Sequence, residues 1–292
     1  MIEIVLSVLT QFGLYGLLAL SLALVFGVSR IVNLAVGDFA AIGAFTVSAT
    51  AGLPFGVSVL VAAMIAIPIL YGVERGLLSR IMYSPLATLL VTWGVGMLIR
   101  QTCEVIWGAT PRSVPAPVPG SVQLLEGAYP TYRIVAAAIG LVIIVGVLAL
   151  LYGTRGGLRI RAVSDNPDMA SLLGTHPART RTIVFVVAGV LAVIAGAVYS
   201  PLLGVYPGLG VNLLTPAFVA LLLVAPGSFR GAVVAALAVV LVQILLRRVF
   251  PDTVADVAFY ALVLLIIGVR SLPLVRKALT WSSSLLSART AV

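Results

Sequence analysis

Few side chains in this sequence could do chemistry, and most of them stand inside apolar runs. Asp38 follows Asn33 and Gly37 in an otherwise hydrophobic stretch. A carboxylate at such a position is either a polar site within the bilayer or a first-turn cap for a helix starting at Phe39, and one residue can serve as both. Thr88 and Thr92 are four apart, so on a helix they share a face. Their hydroxyls could hydrogen-bond a polar solute, or each could bond its own preceding carbonyl. Trp93 lies next to them, deeper in the apolar run than the interfacial belt where tryptophan usually gathers. Asn33, Asp38, Thr88, Thr92 and Trp93 are therefore the candidates to line a path for a small polar molecule. Arg100 and Glu104, also four apart, read as an exposed structural pair.

The second concentration of chemistry is "RGGLRIRAVSDNPDMASLLGTHPARTR", residues 155–181. Within it, Asn166 is a good N-cap and Pro167 suits the first helical position. Asp168 then sits where the helix dipole favours a carboxylate. Met169, Leu172 and Leu173 at i, i+3 and i+4 form one apolar face, and Gly174 supplies the stop. A helix of two turns is unstable alone in water. It must rest on the bilayer surface, with its arginines near lipid phosphates, or insert its apolar face into a partner's groove.

The elements that position these residues are dictated by composition. Of 292 residues 61% are hydrophobic and 9% charged, far below the roughly 25% charged residues of soluble domains. Mean hydropathy is +1.20. Lipid is thus the main solvent, and helix is the element that satisfies its own backbone there. Apolar stretches at 5–28, 31–51, 54–73, 85–106, 132–153, 182–203, 212–229, 231–250 and 256–270 predict an all-α polytopic membrane protein. It should have eight or nine transmembrane helices, in one domain over 1–292, with a short cytoplasmic helix in the 155–181 loop. The Pro-rich stretch 107–131 becomes the largest outer loop. A net charge of +9 would suggest nucleic acid in a soluble protein. Here it reflects the excess of arginine on cytoplasmic loops, so no nucleic-acid partner is expected. With 155–181 inside, the amino terminus falls outside and the carboxyl terminus inside. One cysteine, Cys103, and one histidine, His176, leave no metal-ligand set.

The order R-x-R-A-V-S-D-N-P-x-M-A-S-L-L-G, residues 159–174, resembles the permease subunits of branched-chain amino-acid ABC importers. So does "LYGLLALSLALVFGVSRIVNLAVGDFAAIGAF" (14–45). A third block, "LATLLVTWGVGMLIRQTCEVIWG" (86–108), is similar to the urea and short-amide branch. Two stretches depart from the family pattern: "VAPGSFRGA" (224–232) where a Gly-Gly-x-Gly-Ser turn is usual, and "VRSLPLVRK" (269–277) at the end. The resemblance implies that 155–181 is the coupling loop that meets an ATPase. Arg161, Asp165, Asn166, Asp168, Met169, Ala170, Leu172, Leu173 and Gly174 then form its contact. It also implies two ATP-binding subunits holding ATP and Mg, and a second permease chain, commonly related but different. An extracytoplasmic solute-binding protein would complete the assembly in a bacterial inner membrane. No cofactor is expected in this chain and no enzymatic step. A Walker A loop needs Gly-Lys-Ser/Thr, and the sole lysine, Lys277, stands between Arg276 and Ala278. The solute is expected to be an amino acid, with urea, a short amide or a small organic acid as alternatives. The rival reading is an ion-coupled secondary transporter with Asp38 as its ion site.

Overall fold

A computed structural model describes residues 2–81, 84–124 and 127–271. The chain runs through α1 (Ile2–Ser29), α2 (Val36–Ala49) and α3 (Phe55–Val73). A π-helical stretch, Glu74–Leu78, then leads into the single turn α4 (Ser79–Ile81), and α5 (Pro85–Trp107) follows. A hairpin of β1 (Ser121–Leu124) and β2 (Gly127–Pro130) precedes α6 (Thr131–Gly153). Then come α7 (Arg155–Asp165), α8 (Pro167–Leu172), α9 (Pro177–Tyr199), α10 (Leu209–Leu222), α11 (Phe229–Val249) and α12 (Asp252–Ser271). Lys277, the tail after it and most of the 269–277 segment lie outside the described residues.

All nine apolar stretches contain helix, and among the described residues six helical runs are long and apolar enough to cross a bilayer: Ile2–Ser29, Phe55–Ile81, Pro85–Trp107, Thr131–Gly153, Pro177–Leu202 and Phe229–Val249. The expected spans at 31–51 and 212–229 are shorter than the sequence suggests. Each reduces to an apolar helix of 14 residues, α2 and α10, about 21 Å long against a hydrocarbon core of about 30 Å. Residues 30–35 before α2 are irregular; Arg30 is exposed, while Ile31, Asn33 and Ala35 are buried in protein, the setting in which non-helical backbone is tolerated at membrane depth.

Contacts divide the chain into two units, Met1–Val240 and Leu241–Val292. In the first, α1 and α9 are the buried central helices, while α3, α5 and α6 expose most of their surface. α2 packs against α9, α10, α3 and α5, and α6 packs against α1. Small residues permit this closeness. A Cβ at Gly43 would overlap the Val193 carbonyl, and one at Gly196 the Ala40 carbonyl. Where Gly13 of α1 crosses Gly140 of α6, Tyr199 fills the space and donates its hydroxyl to the Ala136 carbonyl at 2.9 Å. Ser21 Oγ donates to the Ala188 carbonyl at 2.7 Å, tying α1 to α9. In the second unit Arg247 Nη2 pairs with Asp256 Oδ1 at 3.0 Å, and the Phe259 ring meets Tyr260 edge-on.

Two features correct the sequence reading. The Pro-rich 107–131 segment is not all loop, because β1 and β2 pair in it as antiparallel strands, Ser121 opposite Pro130. The 155–181 segment holds two helices before α9 rather than one. Pro177 occupies the first turn of α9, which therefore begins five residues before the apolar run at 182. Proline serves at a helix start because its missing N–H has no partner there to lose.

Candidate functional site

The first site is built on the break before α2. Arg30 closes α1 with φ of +56°, uncommon for a residue with a side chain. Two polar groups satisfy the backbone that follows. Asn33 Oδ1 accepts from the Ala35 N–H at 3.0 Å, and Thr92 Oγ1 from the Leu34 N–H at 3.3 Å. α2 then begins at Val36 with no side-chain cap. The expected start at Phe39 is thus three residues late, and Asp38 is not an N-cap. It lies in the first turn, where free N–H groups and the helix dipole still favour its charge.

Asp38 is 3% exposed, and its Oδ1 stands 3.1 Å from Arg100 Nε of α5. The expected Arg100–Glu104 pair does not form: Arg100 turns inward to the buried carboxylate, and Glu104 Oε2 accepts from Gln101 Nε2 at 3.3 Å instead. Arg100 Nε also donates to its own Gly96 carbonyl at 3.3 Å. Gly96 of α5 and Gly210 of α10 flank the carboxylate closely, and a Cβ on either would overlap one of its oxygens. The pair therefore joins α2, α5 and α10 at one point. The signal for it was in the sequence. A carboxylate in lipid needs a cation, and Arg100 is the one basic residue of α5.

Thr88 and Thr92 are buried on the same face of α5, as their spacing predicts. Their hydroxyls serve the backbone: Thr88 Oγ1 donates to the Ser84 carbonyl at 2.7 Å and Thr92 Oγ1 to the Leu89 carbonyl at 3.0 Å. Thr92 additionally holds the break, as above. Trp93 is 52% exposed on another face of α5. Asn33 and Thr92 thus meet at the break and Asp38 reaches α5 through Arg100, whereas Thr88 lies one turn away on the buried face of α5 and Trp93 on an exposed one.

The second site is the helical pair at 155–172. Thr154 caps α7, its Oγ1 accepting from the Gly157 N–H at 3.1 Å. Asn166 ends α7 and caps α8, its Oδ1 accepting from the Met169 N–H at 3.0 Å, with Pro167 first in the helix and Asp168 in its first turn. Gly174 takes φ of +80°, and the Thr175 and Gly174 N–H groups bond back to the Ala170 and Ser171 carbonyls at 3.0 Å each, a Schellman stop. Ala170 is buried beneath α8, whereas Met169, Leu172 and Leu173 are 56%, 81% and 80% exposed. Asp165 and Asp168 are exposed beside them. Arg161 turns the other way, stacking 4.8 Å from the Tyr152 ring centroid, with Arg230 over the same ring at 3.9 Å.

α7 joins this pair of helices to the break. Ser164 Oγ donates to the Gly27 carbonyl near the end of α1 at 3.0 Å, and Arg30 Nη2 donates to the Ser164 carbonyl at 3.0 Å. Sequence reasoning missed Ser164 and Arg30, since no local pattern links residues 134 positions apart.

Two short half-helices thus meet around a buried ion pair, and elsewhere α8 leaves an apolar face uncovered. The model of a family described as the permease component of branched-chain amino acid transport systems matches residues 4–268. The chain belongs to that family. The permease is 24% identical over 277 residues to the high-affinity branched-chain amino acid transport system permease protein BraD of Pseudomonas aeruginosa, over 89% of this chain and 90% of the relative. It is 26% identical over 271 residues to the corresponding LivH protein of Salmonella typhimurium, over 87% and 88%. Its fold is similar to that of a solved chain from an inward-facing ABC transporter assigned to the metal-chelate type. The TM-score is 0.53 at 18% identity, over 90% of the permease and 84% of that chain.

Proposed function

We propose that the permease forms half of the translocation path of a binding-protein-dependent ABC importer that carries a small polar solute, an amino acid before all others. The observation that carries this reading is the uncovered face of α8. Met169, Leu172 and Leu173 stand in the open on a helix capped at both ends. A two-turn helix held this firmly with its leucines exposed is a fixed knob for a partner's groove. The partner is an ATPase subunit, one docking on this chain and one on a second permease, each binding ATP and Mg. The chain has no P-loop lysine to do so itself. With 155–181 in the cytoplasm, the amino terminus faces outward, where a solute-binding protein delivers its cargo.

The geometry supports a route for coupling. A force on α8 passes to α7 through the shared Asn166, and from α7 through Ser164 to Gly27 and Arg30. The α1–α2 break thus moves with the docking helix, and Asp38 lies one turn beyond it. Solute crosses without any bond in it being broken. Asp38 also bears on the rival reading. An ion-coupled transporter needs an intramembrane carboxylate available to its ion, whereas Asp38 is held by Arg100 at 3.1 Å, which favours the ATP-driven reading. The names of the relatives favour a branched-chain amino acid over urea, a short amide or an organic acid.

A pull-down of the tagged chain from its native membrane in gentle detergent tests this reading, with partners identified by mass spectrometry. A Walker-type ATPase and a second permease are the expected companions. A lone chain that still moves solute after reconstitution would overturn the proposal.

A further inference from the structure

Where α6 gives way to α7 and α9 begins, two cavities meet. The first, about 380 Å³, is rimmed by Arg159 of α7 and by His176, Arg179 and Thr180 at the start of α9. No carboxylate lines it, and neither arginine has an ion-pair partner among the described residues. α9 starts here with no side-chain cap on its N–H groups, so the positive end of its dipole adds to the same field. The second cavity, about 230 Å³, is almost wholly apolar, walled by Leu150 and Leu151 of α6 and by Val187 of α9. Gly156, Ile160 and Ile183 line both, so the basic cup and the apolar trough lie side by side along the same residues. From Arg179 in the cup to Val187 in the trough, the two cavities together follow α9 for about 12 Å, at 1.5 Å per residue.

We infer that the cup and trough together bind an anionic phospholipid. The phosphate and its negatively charged headgroup sit between Arg159 and Arg179, and one acyl chain lies along Leu150, Ile183 and Val187. Charge selects the class: two unpaired guanidinium groups attract a net anion and disfavour the added cation of a choline headgroup. Shape selects a lipid over a free anion, because a free anion would use the cup and leave the trough empty. Leu150, Ile183 and Val187 are 62%, 58% and 50% exposed, open sideways to the surrounding bilayer as an acyl chain requires. The site is independent of what the permease transports.

Native mass spectrometry on the delipidated, intact complex tests the site, titrating phosphatidylglycerol and phosphatidylcholine with identical chains. The parent should hold phosphatidylglycerol in preference, and millimolar inorganic phosphate should fail to displace it. Arg159→Gln with Arg179→Gln should weaken binding about 30-fold, equivalent to about 2 kcal/mol for two basic side chains near an anionic surface. Arg159→Lys with Arg179→Lys should restore most of it. Gly156→Leu should also weaken it by plugging the junction. A Cβ there meets only Thr154 Oγ1 at 3.7 Å, an ordinary contact, so the helix itself should be unharmed. Equal retention by the double glutamine variant, equal binding of phosphatidylcholine, or displacement by phosphate would each overturn the inference. The measured mass of the complex shows in the same spectrum whether each variant has assembled.

Discussion

Replacing Arg100 by glutamine should cost the permease more stability than any other single loss of charge. Its partner Asp38 is 3% exposed and lies between Gly96 and Gly210 with no room for a side chain to rearrange. Removing one member of a buried pair strands the other, at about 3–5 kcal/mol. Arg100 keeps 24% of its side-chain surface exposed, which softens the loss toward the lower end, about 3 kcal/mol. That corresponds to roughly a 150-fold change in the unfolding constant. Asp38→Asn with Arg100→Gln removes both charges and leaves two amides able to hydrogen-bond, so it should recover to within about 1 kcal/mol of the parent. The assay is unfolding of the purified permease by SDS titration, followed by tryptophan fluorescence, with all four members of the cycle measured together. A single variant within about 0.5 kcal/mol of the parent, the level of an ordinary surface change, would refute the claim that this pair holds α2, α5 and α10 together. So would a double variant whose loss is the sum of the two singles.

Three further outcomes follow from the packing and from the clasp that Ser164 makes with Gly27 and Arg30. Gly196→Leu should cost about 1–3 kcal/mol or prevent assembly by forcing α9 off the Ala40 carbonyl, while Gly72→Ala, where a Cβ meets nothing within 4 Å, should gain about 0.5–1 kcal/mol from helix propensity; the same SDS titration checks both. Ser164→Ala with Arg30→Gln should leave ATPase association intact but reduce solute-stimulated ATP hydrolysis several-fold in proteoliposomes, and full stimulation would show that the clasp carries no coupling.

What the sequence made legible was whatever rests on local chemistry. The nine apolar runs became helices because lipid leaves the backbone little choice. Asn166, Pro167 and Gly174 took their places at the ends of α8 because capping is settled within a few residues. α7 escaped notice because its arginines obscure its apolar period, although Thr154 caps it in the ordinary way. The shortness of α2 and α10 could not be read from hydrophobicity, since most of the irregular residues before α2 (Ile31, Val32, Leu34 and Ala35) are apolar and one of their N–H groups is satisfied by Thr92, on a different helix. The ion pair and the clasp depend on how helices are rotated about their axes, which no single run of residues specifies. Trp93 shows the same limit: one position from Thr92, it falls on an exposed face while Thr92 is buried.

In the proposed assembly α8 is the handle by which a separate motor holds this chain. Leu172→Asp with Leu173→Asp tests it most directly, with ATPase co-purification measured against the parent. Both side chains are about four-fifths exposed, so the substitutions spare the permease fold, while burying either leucine in a partner's groove is worth about 1.5–3 kcal/mol. The ATPase should be lost from the double variant, by at least 100-fold in affinity, while the permease still reaches the membrane. Undiminished recovery of the ATPase would contradict it.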